Sequence, residues 1–188
     1  MVIASYAHLR IEGSEAFIAS IRRALDLLRP LPSWRYTAGL RRIAADNSSI
    51  GWYCANTKTC FIGQTVAFHR SPEDVASLIV HEGAHGLDPR QQRDSMQDYH
   101  DAEVVAFTAQ LAALHELRGH PQQIAHIERC LANPTGHFEP ALVLAIEQYF
   151  LRRNKATPED KMSVFVLVLI CSIAAGLVPV FAILLLKI

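Results

Sequence analysis

The sequence predicts an α+β fold: a mainly helical domain with a small antiparallel sheet set before one central helix, then a single C-terminal transmembrane helix. Three observations predict it. Apolar residues recur at helical spacing in several capped segments. Short β-branched and aromatic runs, separated by turn residues, occupy the stretch from Leu40 to Gly63. An uncharged apolar run fills Met162 to Leu186. Together they divide the chain into a domain at 1–151, a polar juxtamembrane linker at 152–161 and a membrane-spanning tail anchor at 162–187.

Taken in order, the chain opens with Met1 to His8, which lacks the basic flank and apolar run of a secretory signal. A short strand is expected over His8 to Glu12. Ser14 then caps a helix to about Leu28, with Phe17, Ile21, Leu25 and Leu28 on one stripe and Pro30 and Pro32 ending it. Short strands follow at Leu40 to Asp46, Ile50 to Cys54 and Thr59 to Gly63, the last two joined by the turn residues Ala55 to Lys58.

The next helix has the clearest start in the chain. Ser71 is a good cap, Pro72 suits the first helical position, and Glu73 and Asp74 put negative charge where the free amides favour it. It carries His81-Glu82-Gly83-Ala84-His85 and ends at Asp88-Pro89. His81, His85, Leu78 and Asp74 share one side, while Val75, Ala76, Ile79, Val80 and Leu87 cover most of the other. Gly83 in mid-helix costs about 1 kcal/mol relative to alanine, which points to close approach by another element.

A long helix from about Ser95 to Leu117 comes after it. Met96, Glu103, Phe107, Gln110, Leu114 and Leu117 form its stripe, so Glu103 points inward and needs a cation or a strong donor. Shorter helices are expected near Gln122 to Leu131 and Pro140 to Arg152. The run from Met162 to Leu186 would extend about 37 Å as a helix, against a hydrocarbon core of about 30 Å. Arg152, Arg153, Lys155 and Lys161 flank it on one side and Lys187 on the other, which leaves the large domain in the cytoplasm.

Composition narrows the function classes. Apolar residues make up 51%, slightly above the usual range, and the excess sits in the C-terminal run. Lys plus Arg and Asp plus Glu balance at 18 each, so no global field favours nucleic acid. The 4 cysteines are too few for a disulfide scaffold, and although Cys54 and Cys60 could face each other across a hairpin and pair, reduced thiols are the simpler expectation in a cytoplasmic domain.

Chemistry concentrates in the HExxH pentapeptide. Histidines at this spacing stack on one helix face, so both imidazoles reach one zinc ion while Glu82, off that face, is left for proton transfer. With its capped helix and uncharged flanking positions, this stretch resembles the zincin superfamily of metallopeptidases. The spacing HExxHxxGxxH of the metzincin branch is excluded, because Asp88 and Gln91 stand at its glycine and third histidine. The segment Asp101-Ala102-Glu103-Val104-Val105-Ala106 looks like the ExxA variant of the gluzincin branch. The resemblance covers about residues 71 to 114.

That resemblance implies a mainly helical zincin-like domain binding one Zn²⁺ per chain through His81, His85 and Glu103, with Glu82 as general base. His100, Asp101 and Asp88 remain alternative ligands. Tyr99 or His100 is placed to donate to a developing oxyanion, or is an ordinary helix-surface residue. Asp88 orients a ligand from behind, or is an ordinary turn residue before proline. Thr59, Cys60, Phe61 and Ile62 resemble in position the edge strand along which zincins lay their substrate.

The expected activity is hydrolysis of a peptide or protein substrate at a membrane surface, with residues 162–187 in the lipid bilayer. Two other readings stand beside it. One is a membrane-tethered binding module that keeps the fold without proteolysis, and the other is a zinc hydrolase of a non-peptide amide.

Overall fold

The computed structural model describes residues 1–47, 51–89 and 95–134. The chain opens with an antiparallel hairpin of β1 (Val2–Tyr6) and β2 (Leu9–Gly13). Helix α1 (Glu15–Leu28) follows, capped by Ser14, whose hydroxyl accepts the Phe17 N–H at 3.2 Å. Its stripe of Phe17, Ile21, Leu25 and Leu28 is fully buried, as the spacing predicts.

A 3-10 helix (Pro32–Gly39) leads into β3 (Arg42–Asp46), and β4 (Gly51–Cys54) turns back into β5 (Thr59–Gly63). The helices α2 (Gln64–His69), α3 (Pro72–Leu87), α4 (Met96–Glu116) and α5 (Pro121–Ala132) complete the described chain. β1, the 3-10 helix and α2 are additions to the elements expected from sequence.

The sheet corrects the antiparallel expectation. Its order is β1-β2-β3-β5-β4, with β3 parallel to both β2 and β5 and antiparallel pairing confined to β1–β2 and β4–β5. A parallel pair needs a long crossover, and α1 with the 3-10 helix supplies one between β2 and β3. β5 then inserts beside β3 and leaves β4 outside. This topology also corrects the position of Thr59, Cys60, Phe61 and Ile62, which lie on a strand paired on both sides and not on an edge. Among the described strands the edges are β1 and β4.

One sheet face packs on the helices and carries Ile11, Ile43, Cys60 and Ile62 into the core with α1 and α3. The opposite face is polar and aromatic. There Arg10 and Arg42 hold Glu12 at 2.7 and 3.3 Å, and Trp52 stacks on Phe61 with ring centroids 4.2 Å apart. The register sets Cys60 opposite Tyr53, so Cys54, one residue further, points to the other face. Cys54 and Cys60 are both free thiols.

The chain divides into two compact units, one comprising 1–91 with 101–134 and the other 92–100 with 135–188. Of the second, residues 95–100 are described, where the Ser95 hydroxyl accepts the Asp98 N–H at 3.1 Å at the start of α4. The helix expected at 140–152, the linker at 152–161 and the transmembrane helix at 162–187 lie outside the described residues. Among those described, no helix is long and apolar enough to cross a membrane.

Candidate metal centre

Helix α3 begins where its sequence dictates. The Ser71 hydroxyl accepts the Asp74 N–H at 3.1 Å, Pro72 occupies the first turn, and Glu73 and Asp74 follow it. The helix runs to Leu87 with Asp88 as its C-cap, and Leu87 itself is exposed instead of packing in the core as its place in the pattern suggested.

Its position is set by a contact between backbones. The Cβ atoms that Gly83 and Gly86 lack would collide with the carbonyl oxygens of Tyr36 and Gly39, and one on Gly39 would collide with the carbonyl of Gly83. The close approach anticipated at Gly83 is therefore made by the 3-10 helix, and glycine is needed on both sides of it. Glu116, at the end of α4, accepts the Ser33 N–H of the same segment at 3.0 Å.

The face of α3 opposite Gly83 presents His81 and His85 to Glu103 of α4. All three are buried, and their potential ligand atoms lie within 4.8 Å of one another. His85 Nε2 is 3.2 Å from His81 Nε2, His81 Nε2 is 3.5 Å from Glu103 Oε2, and His85 Nε2 is 3.4 Å from Glu103 Oε1. Two imidazole nitrogens and a carboxylate are a donor set that zinc takes, each imidazole here facing a different Glu103 oxygen. Bonds of about 2.0–2.1 Å at tetrahedral angles put neighbouring ligand atoms about 3.3 Å apart, a spacing close to these separations.

Burial pulls the His81 pKa down, but the hydrogen bond to Glu103 and the charges of Glu82 and Glu103 outweigh it, and the ring stays above its ordinary value. The Phe107 ring meets His81 edge-on at 4.7 Å between centroids and closes that side with apolar surface. Glu82 is buried outside the ligand cluster. Cys60, on β5, carries its thiol well above the usual range, chiefly through burial and secondarily through the charge of Glu82. Such a thiol is a structural residue and a poor nucleophile.

The other candidates are placed as follows. Asp88 ends α3, where its N–H bonds the carbonyls of Ala84 and His85, and His100 and Asp101 lie on α4 just before Glu103. None of the three belongs to the ligand cluster, so the described structure groups only His81, His85 and Glu103. Tyr99 and His100 are half-buried in the first turns of α4. Sequence reasoning missed Gly39 and Gly86, whose close approach across α3 is visible only once the 3-10 helix is in place. It also gave no role to Ser77 and Gln110, although Gln110 lies on the same stripe as Glu103 and is buried with it.

No known protein family, curated protein or solved structure matches the chain. The functional reading therefore rests on the site itself.

Proposed function

We propose that this chain is a zinc-dependent metallopeptidase, attached to the cytoplasmic face of a membrane through residues 162–187. The observation that carries the reading is the convergence of His81 Nε2, His85 Nε2 and the Glu103 carboxylate at 3.2 to 3.5 Å from one another, on two separate helices. These three side chains would hold the ion and leave a position for water and substrate. Zinc bound there supplies Lewis acidity, lowering the pKa of water towards about 7 and polarising a peptide carbonyl.

Glu82 takes the proton of the attacking water on its carboxylate and returns it to the leaving amine, so that one group serves as base and then as acid. Phe107 excludes water from the His81 side, which strengthens each electrostatic interaction within the site. A peptide substrate that extends the sheet would pair along β4, the edge strand beside α3, where Gly51 lies against Leu78. The uncharged run and the flanking Arg152, Arg153, Lys155 and Lys161 support membrane attachment with this domain on the inner side.

The test is metal analysis of the full chain together with cleavage of a quenched-peptide library. Wild type is expected to hold one zinc and to cleave peptides in a chelator-sensitive manner. Glu82→Gln should keep the zinc and lose about 10²–10⁴-fold in kcat. A chain without stoichiometric zinc, or a Glu82→Gln variant as active as wild type, would refute the reading. Zinc binding without any cleavage would leave a binding module in its place.

A further inference from the structure

The His81 ring has one nitrogen at the ligand cluster and one turned away. Nε2 faces His85 and Glu103, whereas Nδ1 is buried and makes no hydrogen bond as placed. A neutral imidazole carries one N–H and one lone pair, so an Nε2 that gives its lone pair to a metal requires the proton on Nδ1. A buried N–H left without an acceptor costs about 1–3 kcal/mol. Ligating histidines ordinarily direct it at a carboxylate, a carbonyl or water.

Gln110 is the buried polar group of α4 that reaches α3 one turn before His81, where its amide bonds Ser77. It is 4% exposed and lies two turns beyond Glu103 on α4. The amide's orientation is fixed from its far side. Ser77, one turn before His81 on α3, donates its hydroxyl hydrogen to the Asp74 carbonyl at 2.9 Å. With that hydrogen committed, the Ser77 oxygen can only accept, and it accepts from Gln110 Nε2 at 3.3 Å. The amide therefore presents Nε2 to Ser77 and keeps Oε1 as an acceptor.

We propose that Gln110 is a positioning residue for the metal centre: its Oε1 accepts the Nδ1–H of His81, and Ser77 holds the amide in the orientation that makes this possible. The terminal torsions of imidazole and carboxamide groups are broad, so forming this bond requires rotation about them and no change of backbone. The Nε2 lone pair is then locked onto the ligand cluster. The role in metal binding rests on the proposed zinc site, whereas the hydrogen bond itself is detectable without metal.

Two measurements on the full chain test it. The first is imidazole ¹⁵N NMR of the metal-free protein, where His81 should show a slowly exchanging Nδ1–H whose proton resonance moves upfield in Gln110→Leu. The second is zinc affinity by competition with a chromophoric chelator. Gln110→Leu should bind zinc about 10–100-fold more weakly. Gln110→Glu, which keeps an acceptor, should restore the affinity. If Gln110→Leu does not fold, Ser77→Ala takes its place, with a smaller loss of the same sign.

The proposal is overturned if His81 Nδ1 carries no proton, if Gln110→Leu matches wild type in both measurements, or if Gln110→Glu is as impaired as Gln110→Leu. Failure of the zinc reading gives a different pattern. Wild type would then bind no zinc, while the Nδ1–H signal and its dependence on Gln110 persist.

Discussion

On one side of α3 the helix backbone lies directly against the 3-10 helix at Gly83 and Gly86, with no side chain between them. On the other it carries His81 and His85 to Glu103. The two sides use different physics. The glycine side has no rotamers to choose among, so it fixes the axis of α3 by backbone contact alone. The histidine side is made of groups with torsional freedom and titratable charge, which become a precise ligand set only if the helix beneath them does not move.

The same 3-10 helix also holds α4, through the Ser33 N–H on Glu116. One short segment therefore touches both ligand-bearing helices, α3 by backbone contact and the end of α4 by a hydrogen bond. The difference teaches that stability and metal affinity should be separable by mutation, with only the backbone contact influencing both.

Removing a ligand breaks the histidine side and should have the largest effect. Glu103→Ala takes away the carboxylate that faces both imidazoles, at 3.4 and 3.5 Å. Its zinc affinity should fall by more than about 100-fold, beyond the 10–100-fold typical of outer partners. The metal-free variant should keep its fold, because the contact of α3 with the 3-10 helix is untouched. Chelator competition reads the first quantity, and far-ultraviolet circular dichroism with denaturant titration reads the second. An unfolded Glu103→Ala protein would mean that the two sides are not independent.

Breaking the glycine side should have an intermediate effect of a different kind. In Gly83→Ala the added methyl meets the Tyr36 carbonyl, so α3 or the 3-10 helix must shift. Overpacking of this type costs about 1–3 kcal/mol. On an exposed helix the same substitution would stabilise by about 1 kcal/mol, so the sign of the change is diagnostic. The metal-free protein should be destabilised in denaturant titration. Zinc affinity should fall as well, since His81 and His85 move with the axis. A stabilised Gly83→Ala would show that the backbone contact is not made.

How far the sequence reveals this arrangement depends on the range of the forces involved. The cap at Ser71, the stripe of α1 and the burial of Glu103 follow from local spacing, and the structure places them as that spacing implies. Gly83 was legible as a place of close approach, but the approaching element was not. Residues 32–39 carry no helical or alternating pattern, and their partner lies on a helix far along the chain.

Strand order was hidden for the same reason. Whether β5 pairs with β3 or lies at an edge is decided by the crossover between strands, not by Thr59 to Ile62 themselves. The Cys54–Cys60 geometry follows from a register offset of one residue, which local spacing does not set.

The smallest expected effect sharpens the comparison by disturbing α3 away from both of its working sides. Ser71 is exposed, and its hydroxyl accepts a single backbone N–H, that of Asp74, at 3.1 Å. Ser71→Ala removes the cap and should cost about 1 kcal/mol, within a range of about 0.5–2. The loss falls on the first turn, which frays locally, whereas His81 and His85 lie beyond it and next to the glycine contact. Ser71→Ala should therefore lower the denaturation midpoint of the metal-free protein slightly and leave zinc affinity at the wild-type value. Gly83→Ala, by contrast, should lower both. If Ser71→Ala weakened zinc binding as much as Gly83→Ala, the ligand end of α3 would be held by its cap and not by the 3-10 helix, and the distinction between the two sides would collapse.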